Sequence, residues 1–261
     1  MLSESLDLLA TGELTLLGRI MPASNQTYLC RLGPEEDAPQ AVYKPTSGER
    51  PLWDFEDGTL SNREYAAYLV SEALGWSVVP PTLLRDGPAG PGMVQLWCEP
   101  DAGADAVDVV AAGPVAPGWL HVVDAHDNED RPVMLVHEDS PSLRRMAAFD
   151  LAVNNTDRKG GHVLAMADGH RYGVDHGVCF HEDDKLRTVL WGFAGLPLEQ
   201  AEIDGLTSLR AQLDGDLGNE LGFLLNADEI AATRRRVDRL LRTGAFPEAG
   251  GGWPSLPWPP F

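Results

Sequence analysis

The chain has 261 residues, 43% of them apolar, and 40 acidic side chains against 20 lysines and arginines. A formal charge of −20 works against nonspecific binding to DNA, RNA or anionic lipid surfaces, which need basic patches. It leaves room for a small anion in a locally basic, glycine-lined cleft. No apolar run reaches the roughly 18 residues of a membrane span. Three cysteines without a CxxC pair argue against a disulfide framework or a cysteine zinc site.

The length suits one large domain or two small lobes sharing a cleft. The N-terminus, MLSESLDLLATGELTLLGRI, lacks a basic start and a small-residue cleavage site, so no leader is expected. A reducing cytoplasm is the simplest compartment.

In chain order, residues 6–11 read as a short helix ended by Gly12. TLLGRIM and TYLCRL read as strands joined by the turn 22–26, and QAVYKP as a third strand stopped by Pro45. Residues 46–60 read as loop. Ser61, with Glu64 three residues on, has the pattern of a capping box opening a helix that Gly75 closes. WSVVPPTLLRD and GMVQLWCEP then form an expected strand pair.

Residues 99–140 are rich in Gly, Pro and Asp and give no clear element. From Ser140 a capped helix is expected, with Leu143, Met146, Ala147 and Leu151 on its apolar face. HVLAM and RYGVDHGVCF read as two strands, and residues 197–242 as further helices. RRRVDRLLR reads as a solvated helix face. The tail GGGWPSLPWPPF cannot be helical and is expected to pack as a strap, with partner binding as the other option.

Lys44, Asp157 and Asp175 stand out. Lys44 ends an apolar strand, where an ammonium is poorly placed unless something anionic meets it. Asp157 and Asp175 sit at element ends near glycines, where backbone can approach a ligand closely. A lysine for phosphates, a helix carboxylate to orient it, an aspartate to accept a proton and another to carry a divalent cation are the parts of phosphoryl transfer. His121, Asp124, His126 and Asp127 invite a metallohydrolase reading, but no HExxH or HxH pattern supports it. Cys98 and Cys179 read as small buried apolar residues.

NTDRKGGHVL followed by GVDHGVCF resembles the catalytic and metal-binding loops of type II phosphatidylinositol 4-kinases. More loosely the order resembles the PI3/PI4-kinase-like superfamily, a bacterial PI3/PI4-kinase-like group and the HipA-type bacterial protein kinases. REYAAYLVSEALGWSVVPPT, GMVQLWCEP and AVYKP are similar to that family's helix-and-strand, hinge and lysine-strand motifs. Together these run from Lys44 to Phe180, about half of the chain.

The resemblance implies an α+β, two-lobed protein-kinase-like fold. A small β-rich lobe (1–98) with one key helix would precede a larger, mostly helical lobe (99–261) carrying catalytic loop 154–162 and metal loop 173–177. It implies that Lys44 binds the α/β-phosphates of ATP and that Glu64 pairs with it. Gln95, Leu96, Trp97 and Cys98 would surround the adenine, and Ser24, Asn25 and Gln26 would cover the phosphates without the usual glycines. Asp157 would be the catalytic aspartate and Asp175 the principal Mg²⁺ ligand.

His162 stands where the family has Asn, and His176 where the lipid kinases have Asn. Imidazole suits Mn²⁺ or Zn²⁺ better than Mg²⁺. His162 therefore binds a metal other than Mg²⁺, contacts phosphate, or marks a lost second metal. The acidity and the lack of a cysteine-rich palmitoylation segment depart from a membrane lipid kinase. The expected activity is ATP-dependent transfer of the γ-phosphoryl group to a hydroxyl of a protein, lipid or small molecule, with Mg²⁺ or Mn²⁺ as cofactor. The alternatives are an ATP-binding pseudokinase with little turnover and an AMP transferase on the same scaffold.

Overall fold

In the computed structural model, which describes residues 2–21, 23–56, 58–250 and 254–261, helix α1 (Leu2–Thr11) precedes a five-stranded sheet. Its strands are β1 (Leu14–Arg19), β2 (Tyr28–Leu32), β3 (Gln40–Pro45), β4 (Thr82–Gly87) and β5 (Gly90–Leu96). They pair antiparallel in the order β1-β2-β3-β5-β4. Alternation along β3 buries Ala41 and Tyr43 with Leu9, Cys30, Leu32 and Val94 under α1. The same period turns Lys44 to the opposite face. The strand thus dictates which side of the sheet carries the charge.

Helix α2 (Leu60–Leu74) ends at Gly75, whose φ of 69° is left-handed. Its start differs from the expected capping box. Ser61 lies inside the helix, and Glu49, from the preceding loop, accepts the Leu60 and Ser61 N–H groups at 3.1 and 2.8 Å. Glu64 is thereby released for another partner. The buried face of α2, including Ala66, Ala67, Val70 and Leu74, belongs to the large core of the helical region. Buried Arg63 ties the same helix to Glu229 at 2.6 Å and to the Cys179 carbonyl at 2.9 Å.

Residues 99–140, unassigned from sequence, contain a second antiparallel sheet in the order β6-β8-β7. Its strands are β6 (Val107–Ala111), β7 (Trp119–His126) and β8 (Pro132–Glu138). Only β8 has a long buried run, Met134–His137, which is why the segment lacks a strong apolar signal. Asp127 accepts the Glu129 and Arg131 N–H groups in the β7–β8 turn, and His121 meets Asp124 at 2.8 Å on the surface. Among the described residues no group of three or more His, Cys, Asp or Glu could hold a metal ion, there or elsewhere.

Helix α3 (Pro141–Val153) opens on Ser140, whose Oγ accepts the Leu143 N–H, and closes on Asn154 at φ 53°. The hairpin β9 (Val163–Ala165) and β10 (Arg171–Gly173) is shorter than the sequence pattern implies. The second strand stops at Gly173, and Asp175 adopts a φ of 64°. Helices α4 (Gln200–Gln212), α5 (Asp216–Leu221) and α6 (Ala227–Thr243) complete the helical region. In α6 the arginine run is more than a solvated face: buried Arg236 bonds Asp184 and three carbonyls of 181–183.

Of the tail, residues 254–261 pack back as a strap. The Ser255 carbonyl accepts the Thr188 N–H and the Trp191 indole N–H, and the Pro260 carbonyl accepts the Gly160 N–H at 2.7 Å. Among the described residues no helix is long and apolar enough to cross a membrane.

Candidate functional site

Lys44 leaves β3 on the face opposite the α1 core and meets two carboxylates. Its Nζ lies 2.6 Å from Glu64 Oε1 and 2.8 Å from Asp175 Oδ1. The other Glu64 oxygen accepts the His176 backbone N–H at 2.8 Å. One helix residue therefore aligns the lysine and the loop bearing Asp175. Burial alone would pull the Lys44 pKa down, but Asp175 and Glu64 reverse this and hold the ammonium above its usual range. The Lys44 charge in turn holds Asp175 well below the usual carboxylate range.

The loop after α3 is built from beneath. Arg158 and Asp150, both fully buried, form two parallel hydrogen bonds of 2.8 Å. Asn155 donates to the same Asp150 carboxylate and accepts the Asp157 N–H, each at 3.0 Å. These bonds fix the Asp157 main chain and leave its carboxylate at the cleft, 3.3 Å from Lys159 Nζ. Arg158 also donates to His176 Nε2 at 2.7 Å, so the ring proton of His176 is on Nδ1.

His162 Nδ1 donates to the Asp157 carbonyl at 2.9 Å, which places the ring proton on that nitrogen. Burial lowers the His162 pKa and favours this neutral ring. Its Nε2 is then a lone pair 3.5 Å from Asp175 Oδ2, another acceptor. Two acceptors facing one another want a cation between them. The donor set, one imidazole and one carboxylate, fits a divalent metal and suits Mn²⁺ at least as well as Mg²⁺.

A cleft of about 630 Å³ gathers Lys44, Glu64, Asp157 and Asp175 with Ser24 and Asn25. Gln26 does not line it; the residue abuts Gly48 and accepts the Tyr28 hydroxyl instead. The segment 95–98 also lies outside the cleft. Gln95 is buried and donates to Thr82 Oγ1, while the Leu96 and Trp97 N–H groups are taken by the Pro81 and Gln40 carbonyls. Cys98 is half-buried and Cys179 fully buried. A larger cavity, about 900 Å³, lies by residues 183–186 and 245–250 and holds none of the site residues expected from sequence. Glu49 and Asp150, which position these elements, were not expected from the sequence; only GER, between Lys44 and the helix, offered a signal.

No protein-family model matches the chain. Two Arabidopsis thaliana proteins, phosphatidylinositol 4-kinases gamma 6 and gamma 7, are each 33% identical over 104 and 110 residues. These matches cover 34% and 37% of this chain and 16% of each plant protein. The Helicobacter pylori proinflammatory kinase CtkA aligns in structure over 90% of this chain and 93% of its own, with 12% identity and a TM-score of 0.44. Protein Rv2133c of Mycobacterium tuberculosis is 50% identical over 262 residues, covering 97% of this chain and 94% of that protein. The chain is an α+β protein distantly similar to phosphatidylinositol 4-kinases over about a third of its length, and it belongs to the family of Rv2133c.

Proposed function

We propose that the chain is an ATP-dependent phosphotransferase acting on a hydroxyl acceptor. The observation that carries this reading is the Lys44 ammonium bridging Glu64 and Asp175 in a cleft that also holds Asp157. Lys44 neutralises the α/β-phosphates, Glu64 holds it in place, and Asp157 accepts the proton of the attacking hydroxyl. Asp175 and His162 would hold the divalent cation, which supplies charge neutralisation to the phosphates when bound.

Residues 1–98 act as the nucleotide-covering lobe and residues 99–261 as the acceptor lobe. Lys44 pairs with Met93 on β5, and Leu96 lies three residues further along that strand. At ~3.3 Å per residue that separates phosphate and adenine ends by roughly 10 Å, a length ATP can span. With the Leu96 and Trp97 N–H groups engaged, the Cys98 N–H is the donor of this segment left to read an adenine that extends beyond the cleft toward 95–98. Ser24 and Asn25 approach the phosphates from the β1–β2 turn. A second reading, an ATP-binding protein with little turnover, is favoured by one observation: an imidazole nitrogen of His162, where the resembling family has Asn, faces Asp175 at 3.5 Å.

Purified protein with γ-labelled ATP and Mg²⁺ or Mn²⁺ should label itself or release phosphate slowly, and Asp175→Asn should abolish this. Binding without turnover under either metal selects the second reading, and label from the α-phosphate selects AMP transfer. ATP at ~100-fold excess over Kd should stabilise by about 2.7 kcal/mol. No melting shift at millimolar ATP overturns both.

A further inference from the structure

The cleft that holds the Lys44 cluster is also lined by side chains that phosphate binding by Lys44 does not use. Asn25 Oδ1 accepts the Arg50 N–H at 2.9 Å, fixing the backbone of the loop after β3. Arg50 itself is exposed on the cleft and, among the described residues, forms no ion pair, although acidic side chains outnumber basic ones 40 to 20. Arg187 lines the same cleft, placed by a 2.7 Å bond from its Nε to the Thr156 carbonyl, one residue before Asp157.

Two indoles line the same cleft. Trp53, 84% exposed, is tethered by Lys185 at 4.9 Å from its ring and by the neighbouring Asp54–Lys185 ion pair. Trp258, 82% exposed, is brought to the cleft by the strap that ends on Gly160. Indoles this exposed bury little apolar surface for folding. They add flat apolar faces to a cleft also lined by two guanidinium groups and the Asp157 carboxylate.

We propose that Arg50, Arg187, Trp53 and Trp258 form the acceptor subsite of this cleft and that it takes a small soluble sugar monophosphate. This rests on the phosphotransferase reading. Arg50 and Arg187 match a phosphomonoester, indole faces match the C–H face of a sugar ring, and Asp157 takes the reacting hydroxyl. The volume, about 630 Å³ including the phosphate end, suits a small molecule better than a protein segment. The net charge of −20 disfavours delivery from an anionic membrane. In the reaction the sugar hydroxyl oxygen bonds to the γ-phosphorus and the bond from that phosphorus to the β,γ-bridging oxygen breaks. ADP leaves with the electron pair, and the hydroxyl proton goes to Asp157.

The test incubates the full chain with γ-labelled ATP and Mn²⁺ or Mg²⁺ in separate arms. These contain glucose 6-phosphate, fructose 6-phosphate or mannose 6-phosphate, the three unphosphorylated sugars, and phosphatidylinositol vesicles. Label is expected in at least one hexose bisphosphate and not in the free sugars. Arg50→Gln and Trp258→Ala should each raise KM for that sugar phosphate, by roughly tenfold or more for the arginine, with a much smaller change in KM for ATP. If ATP raises the melting temperature but no hexose monophosphate is labelled, the acceptor proposal is overturned while the nucleotide reading stands. Labelling of vesicle lipid alone also overturns it. If ATP gives no melting shift, the phosphotransferase reading itself has failed.

Discussion

Asp150 and Arg158 hold one another through two 2.8 Å hydrogen bonds with neither side chain exposed. The pair lies directly under the loop that presents Asp157. Breaking a buried pair leaves an uncompensated charge and typically costs ~3–5 kcal/mol, whereas replacing both members by apolar residues can be close to neutral. Arg158→Met is therefore expected to lower stability by about that amount in urea unfolding. Asp150→Leu/Arg158→Met should recover much of the loss. A double variant no more stable than the single one contradicts the pairing argument.

Glu49 occupies the start of α2 from outside the helix, accepting two N–H groups and the Ser61 hydroxyl at 2.6 Å. Loss of a helix cap costs ~0.5–2 kcal/mol. Glu49→Ala should reduce stability within that range. Because α2 carries Glu64, nucleotide affinity should weaken as well, measured as a smaller ATP-induced melting shift. Unchanged stability with unchanged ATP shift would remove Glu49 from this role.

Burial holds His137, His162 and His176 below the ordinary histidine range. Each is neutral in the fold and takes up a proton on unfolding. Their contribution to stability is present above the unfolded pKa of about 6.5 and is lost as pH falls through it toward the folded values. Asp175, depressed chiefly by Lys44, adds a contribution present above about 3.9 and lost below it. The urea midpoint should be level from pH 8 to 7 and decline steadily toward pH 5. A midpoint that stays level down to pH 5 contradicts the buried neutral rings.

His162→Asn replaces the imidazole beside Asp175 with an oxygen ligand. The variant should shift metal preference from Mn²⁺ toward Mg²⁺, read as a fall in the ratio of Mn²⁺-supported to Mg²⁺-supported ATP turnover. An unchanged ratio would place His162 outside the metal site.

The residues of the site differ in how well the chain announced them. Lys44, Asp157 and Asp175 stood out because each is an ionisable group at the end of an apolar element, whereas His162 stood out only as the departure from the Asn of the resembling family. Glu64 was legible as a carboxylate on a helix, but its local pattern with Ser61 pointed to a cap that Glu49 supplies instead. A cap reaching back from another loop leaves no short-range signature. Strands β6 and β7 were hidden because they are largely exposed and alternate only weakly. The partner of Arg158 was invisible for a related reason: Asp150, in the last turn of α3 and eight residues back, binds it with no short-range pattern to announce the pair.

The Gly160 N–H of the Asp157 loop donates to the Pro260 carbonyl, and a side chain at Gly160 would meet the Phe261 ring. In synthesis that carbonyl emerges a hundred residues after the amide it receives. A nascent chain can therefore assemble the sheet, α2 and α3 long before the loop acquires its last hydrogen bond. Domains fold as they emerge, but contacts this distant in sequence form late. A ribosome-bound or truncated chain lacking the strap would hold Lys44, Glu64 and Asp175 together around an Asp157 loop that still lacks its Gly160–Pro260 hydrogen bond.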